Sequence, residues 1–274
     1  MPSFDTIPAL AGDIVITPIG HASLGIRHSD DVILVDPARF GPGLPSPPAP
    51  SAEEIAQFKS APPPVPPDRE PHPATLVSAF FVRSGPLARF AVGPSPTHIL
   101  VTDIHSDHLD PRAITALRTP TTRVIVPTAE GSRMLDVEGA EIMANGETRT
   151  IGGVTVEAVP MYNLAPDRES GMTYHTPGRG NGYILALGGK RLYVAGDTGC
   201  TPEMKQLQAI DVAFLPMNLP YTMSPTEAAE CARAFRPTIA YPYHYFESDL
   251  GPFAQALEGS GIEVRTRRWY PETP

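Results

Sequence analysis

The 274-residue sequence predicts an α/β sandwich, two β-sheets with helices on the outside, on three observations. Short β-branched runs come first, with no helical pattern among them: DIVITPIG, ASLGIRH and DVILVDP. From Thr97 onward, strand-like runs alternate with helix-opening signals. Finally, ligand-type residues collect where strands end: Asp103 to His108 after HILVT, Asn163 after VEAVPMY, Asp197 after RLYVAG and His244 after IAYPY. A rigid sheet that carries polar groups on its terminal loops is a common way to build a site.

Taken in order, the first strands are separated by Gly, His, Ser and Asp at their turns. Proline then dominates, with 12 of the chain's 34 prolines between Gly41 and Pro73. Such runs cannot join a central sheet and favour extended polyproline II. Inside this stretch SAEEIAQFKS predicts one short helix, with Ser51 as N-cap and Glu54 at N3. The whole is an insertion at about 41–96 in a single domain spanning 1–274. It reads either as a mobile surface loop or as a lid or oligomer contact.

Beyond it, HILVT is a strand, and Asp110 caps a helix with Pro111 at its first position. RVIVP is a strand and TAEGSRML a short helix. TIGGVTVEAVPMYN holds two strands around Gly152-Gly153, and GYILALGGKRLYVAGDTG is a hairpin turning at Gly188-Gly189. Thr201-Pro202-Glu203 opens a helix, and DVAFLPM is a buried strand. Ser224-Pro225-Thr226-Glu227 is a capping box for a helix running to about Phe235. TIAYPYHY, FAQALEGS and IEVRTRR close the chain as strand, helix and strand. No repeat of fixed period is present.

Composition narrows the function. At 41% hydrophobic and 19% charged, the chain is an ordinary globular one. No apolar run reaches about 18 residues, so no membrane span is expected. MPSFDTIPALAGD has no basic segment followed by a long apolar one, so no signal peptide is read. A formal net charge of −9 disfavours nucleic acid as partner, despite the local basic run of Arg265, Arg267 and Arg268. Cys200 and Cys231 form no disulfide framework or metal motif and are expected as free thiols in a reducing, cytoplasmic setting.

The chemistry concentrates in DIHSDH. Asp103, His105, Asp107 and His108 cannot all face one metal from an extended strand, because side chains alternate, but in a tight loop they can split into two sets. Aspartate and histidine suit zinc, manganese or iron without a thiolate.

DIHSDH resembles the HxHxDH signature of the metallo-β-lactamase fold. AGDT matches that family's bridging aspartate at Asp197, and YPYHY its last histidine at His244. GHASLGI and ILVDP resemble the opening strands of the branch containing ascorbate-6-phosphate lactonase and the N-acyl-phosphatidylethanolamine phospholipase D type hydrolases. The resemblance covers nearly the whole chain outside the proline-rich arm. It implies an αββα sandwich of two mixed sheets with helices on the outer faces, and one or two zinc ions. The second metal site is complete in Asp107, His108, Asp197 and His244. The first departs twice: Asp103 stands where a histidine is expected, and so does Asn163. A set of Asp103, His105 and Asp197, with the Asn163 carbonyl, is harder, binds zinc less tightly and tolerates manganese, iron or magnesium better; otherwise the site is empty. His175, twelve residues past Asn163, is a rival ligand or a surface histidine. His21, in PIGHASL, either serves substrate or a ligand, or is ordinary.

The reaction expected is hydrolysis by a metal-bound hydroxide, since a metal brings the pKa of bound water to about 7. Asp107 binds metal and orients the water. No Gly-x-Ser-x-Gly elbow is present. Asn218 and Tyr221, in PMNLPYTMSP, are candidate oxyanion donors, though Tyr221 equally suits packing under a helix; Met217 and Met223 are expected in an apolar wall. The expected substrate is a small molecule with a lactone, other ester or amide bond. A phosphodiester hydrolase, an iron-dependent oxidoreductase and a catalytically silent metal-binding protein stay open, as does a homo-oligomer.

Overall fold

The architecture follows from strands that bury both faces. The structure, a computed structural model, describes residues 4–38, 94–128, 139–166 and 171–270. The first sheet runs in chain order: β1 (Asp5–Ile7), β2 (Ile14–Gly20), β3 (Ser23–His28), β4 (Asp31–Val35), β5 (His98–Leu100), β6 (Arg123–Pro127) and β7 (Glu141–Met143). The second sheet takes β8 (Thr148–Ile151), β9 (Val154–Met161), β10 (Gly180–Leu187), β11 (Lys190–Val194), β12 (Val212–Pro216), β13 (Ile239–Tyr243) and β14 (Glu263–Val264) as sequential neighbours. Each sheet is mixed. The β1–β4 strands pair antiparallel and β4–β7 parallel. Likewise β8–β11 are antiparallel and β11–β14 parallel.

Alternation along the strands sorts side chains into three cores. Leu100 and Ile125 face Phe214 and Tyr241 between the sheets. On the outer face of the first sheet, Ile99, Val101 and Val124 pack against Ile114 and Leu117 of α1 (Pro111–Leu117). On the outer face of the second, Ala213 and Leu215 meet α3 (Pro225–Phe235) and α4 (Gly251–Leu257), and Met204 of α2 (Pro202–Lys205) joins them. Helix, sheet, sheet, helix is the αββα sandwich expected.

Local signals set the helix starts. Asp110 Oδ1 accepts from the Arg112 and Ala113 amides. Ser224 and Glu227 form the reciprocal capping box that opens α3. Both hairpins turn at their Gly-Gly pairs. The last strand is shorter than IEVRTRR predicts, covering Glu263–Val264. Beyond it, Arg265 and Arg267 turn to Asp5 at 3.3 and 2.6 Å, so side-chain pairing replaces further ladder.

One expectation fails. Cys200 and Cys231 are not free thiols but a disulfide, with Cα atoms 5.6 Å apart. It ties the loop after β11 to α3, two pieces that meet only through tertiary packing. The ground for expecting a reducing compartment falls with it. No described helix is long and apolar enough to cross a membrane. The proline-rich arm at 41–73, its Ser51 helix and most of the TAEGSRML helix lie outside the described residues.

Candidate metal centre

Parallel strands deliver their carboxyl ends to one rim. There β4 leads to Asp36, β5 into the 101–110 loop, β11 to Asp197 and β13 to His244. The β2–β3 turn adds His21. Two close backbone approaches hold the sheets together here: the Asn181 amide donates to the Thr102 carbonyl at 2.8 Å, and a Cβ at Gly180 would fall 2.6 Å from that oxygen. Asp36, His21 and His244 all take left-handed backbone angles, with φ of 46°, 49° and 49°. Non-glycine residues adopt that region at a cost, and such strain gathers at functional sites.

The histidines and aspartates sort into overlapping groups whose donor atoms lie within 4.8 Å of one another: His108, Asp197 and His244; His21, Asp107 and His244; Asp103, His105 and His175. In the first group, His108 Nε2 is 3.3 Å from Asp197 Oδ2, and His244 Nε2 is 3.3 Å from Asp197 Oδ1. These contacts are near enough for attraction but misdirected for hydrogen bonding. His108 Nε2, His244 Nε2 and Asp197 Oδ1 are buried with no hydrogen-bond partner. Buried polar atoms are rarely left so. Two imidazole nitrogens and a carboxylate oxygen converging unpaired fit a divalent cation. Asp107 Oδ2 borders the group, 3.7 Å from His244 Nε2.

The outer ring nitrogens of His108 and His175 are fixed from behind, whereas His244 Nδ1 is buried without a hydrogen-bond partner. His108 Nδ1 donates to Asp36 Oδ2 at 2.9 Å, and Asp36 is held by the Thr102 amide and hydroxyl at 2.7 and 2.6 Å. His175 Nδ1 donates to Asn163 Oδ1 at 3.0 Å and faces the Tyr221 carbonyl at 3.2 Å. Each bond aims Nε2 into the cluster, as outer partners do for metal-binding histidines. His21 links Asp107 Oδ2 at 2.9 Å to the Tyr270 hydroxyl at 2.7 Å.

The Asp103 group differs. Its Oδ2 is 2.6 Å from His105 Nδ1, and its Oδ1 accepts from Arg179 Nε at 3.1 Å. His175 Nε2 lies 3.3 Å from His105 Nδ1 and 3.5 Å from Asp197 Oδ2. The structure therefore brings His175, not Asn163, to the third corner of this set. Asn163 accepts from His175 through its oxygen, and its Nδ2 donates to the Tyr221 carbonyl at 2.9 Å. Tyr221 meets the site through its carbonyl, while its half-exposed ring packs edge-on against Tyr174 at 4.8 Å.

Electrostatics follow from burial against charge. Burial raises the Asp197 and Asp107 carboxyls, but His108 and the other imidazoles outweigh it and hold both far below the usual range. Asp103 is held at about 2, burial being outweighed by the His105 bond and by His108, His105 and His175. Burial depresses His108, yet Asp197, Asp36 and Asp107 lift it well above an ordinary histidine. His21 falls to about 4, chiefly through burial and then His244. Burial also lowers His175 and raises Asp36. Ionised carboxylates with buried imidazoles form a negative cage that a dication balances.

Asp36, Thr102, Arg179 and Tyr270 were not singled out by sequence reasoning. Asp36 carried a signal, an aspartate ending an apolar strand in ILVDP. Tyr270 carried none.

Fold and cluster together define a metal-dependent hydrolase of the metallo-β-lactamase fold. The chain belongs to the beta-lactamase superfamily: the family described as "Beta-lactamase superfamily domain" matches residues 15–244. A protein of Symbiobacterium thermophilum named UPF0173 metal-dependent hydrolase is 32% identical over 182 residues, 63% of this chain and 74% of the relative. One of the same name from Methanopyrus kandleri is 31% identical over 198 residues, 69% of this chain and 86% of the relative. Among solved structures, a Parabacteroides distasonis protein described as a metal-dependent hydrolase is 34% identical, covering 98% of this chain and 99% of its own, with a TM-score of 0.74.

Proposed function

We propose that this hydrolase opens a lactone or other ester bond of a small molecule, at a centre held by Asp107, His108, Asp197 and His244. The observation that carries the centre is the set of unpaired buried atoms: His108 Nε2, His244 Nε2 and Asp197 Oδ1. When bound, a divalent cation polarises a carbonyl and makes water acidic enough to ionise near neutral pH.

The chain's own residues do the rest. His108 and Asp197 are closed to solvent, whereas the Asp107 side chain is 24% exposed and that of His105 41%. Water and substrate therefore enter along the Asp107–His105 edge. His21 holds Asp107 Oδ2, which leaves Oδ1 to accept a hydrogen bond from the attacking water and aim it. Tyr270 keeps the His21 ring in place. Arg179 holds Asp103 against the mouth of the site. The lactone or ester choice rests on the resemblance of GHASLGI and ILVDP to the lactonase branch. A phosphodiester is the next substrate class.

One observation favours a second reading. Asp103, His105 and His175 form a set of two histidines and one carboxylate, which suits non-haem iron and oxygen chemistry. Zinc-loaded and iron-loaded protein, assayed on lactones, aryl esters and phosphodiesters with dissolved oxygen monitored, separates the readings. Ester or lactone turnover without oxygen uptake is the result expected. Oxygen uptake by the iron form, with no hydrolysis by either, would replace it.

A further inference from the structure

Beside the metal centre lies a cavity of about 660 Å³ that no step above uses. Leu164, Ala165, Pro166, Leu219, Pro220 and Met223 line it, with Gly199 and Cys200. It adjoins the centre through two elements. Asn163 lines it and also holds His175. Gly199 and Cys200 follow Asp197 in the same loop. Its volume falls within the range of small-molecule sites, about 300–1,000 Å³.

The polar groups in its wall are mostly occupied. Asn163 uses its oxygen on His175 and its nitrogen on the Tyr221 carbonyl. Thr222 Oγ1 accepts from the Asn218 amide. Ser224 Oγ and Glu227 Oε2 are joined at 2.8 Å in the α3 capping box. An occupant gains apolar contact here and few hydrogen bonds. Among the described residues of the wall, the one acidic side chain, Glu227, repels a negative group. The lip is apolar too: Leu164 and Leu219, both 58% exposed, are among the few large hydrophobic side chains the described surface leaves open.

From this we infer that the cavity takes a neutral, apolar acyl or alkyl group of the substrate, placing the bond to be broken at the His175 side of the centre. The inference rests on the hydrolytic reading only for that placement; the binding preference stands on the cavity itself. Each methylene buried contributes enough to change affinity about fourfold.

The test is binding, read apart from turnover. The n-alkyl alcohols from propanol to octanol, which are the product class of esters, are titrated calorimetrically into metal-loaded protein. Affinity is expected to rise about fourfold per methylene until the cavity is full. In Leu164→Glu the slope is expected to fall below about twofold, because a charged group at the lip opposes desolvation. Leu219→Glu serves as an independent second variant, and both positions are exposed enough for the fold to survive. A flat series in the unaltered protein, or an unchanged slope in both variants, overturns the inference. Steep binding with no ester or lactone turnover leaves the cavity assigned and sinks the ester and lactone reading instead.

Discussion

The two halves of the metal centre are built from the same residue types but stand in opposite states of satisfaction. Around Asp197, the inward atoms of His108 and His244 are buried and unpaired, while Asp36 secures His108 from behind. Around Asp103, the inward atoms already bond one another: His105 on one oxygen, Arg179 on the other. An unpaired buried group is costly unless something completes it, whereas a paired one asks for nothing. The Asp197 half therefore demands a cation, and the Asp103 half can bind one only by giving up existing bonds.

Four predictions test that contrast. The largest concerns the ligands themselves. His244→Ala should abolish hydrolysis and weaken tight metal binding by more than about 100-fold, while Asp103→Ala should retain one metal per chain, both read by elemental analysis after dialysis. Equal loss of all metal in the two variants would erase the ranking of the halves.

Next comes the support behind His108. Asp36→Ala removes the acceptor that fixes the ring, and metal affinity measured by chelator competition should fall about 10–100-fold. The variant's loaded fold should match the parent by circular dichroism; unchanged affinity would mean the Asp36 contact is only structural.

A milder effect is expected at Asn163. Asn163→Ala frees the His175 ring, so affinity for a second equivalent of metal should drop about tenfold while the first equivalent is untouched. A drop in the first instead would put His175 in the Asp197 half.

The smallest effect is on acid stability of the metal-free protein. Asp103 is held at about 2, below its ordinary 3.8, so the folded state favours its ionised form. That stabilisation is present above pH 3.8 and is lost as pH falls towards about 2, an effect of about 2 kcal/mol. Asp103→Asn should therefore differ most from the parent above pH 4 and converge with it near pH 2 in denaturant titrations. A gap that stays constant with pH would contradict the ion-pair account.

Legibility in the sequence tracked how local the cause was. The capping box at Ser224, the Gly-Gly hairpins and the Asp110 cap depend on neighbours, and all were readable. The ends of β5, β11 and β13 were readable because a strand ending in aspartate or histidine is an unusual local pattern. What depended on distant pairing was not. Asp36 and His108 are 72 residues apart. Cys200 and Cys231 are 31 residues apart with no motif between them. His21 meets Tyr270 across 249 residues. The position of Asn163 after β9 is legible, but nothing local shows that its oxygen meets His175. His175 sits in an irregular loop, where no periodicity sets direction, so sequence left ligand and surface residue as alternatives.

Whether the Asp197 half is a cation site is read from elemental analysis of protein purified without added metal or chelator. At least one tightly held divalent metal per chain is expected, lost in His244→Ala. Protein that carries no metal, and takes up none on reconstitution with zinc, manganese or iron, would contradict that expectation.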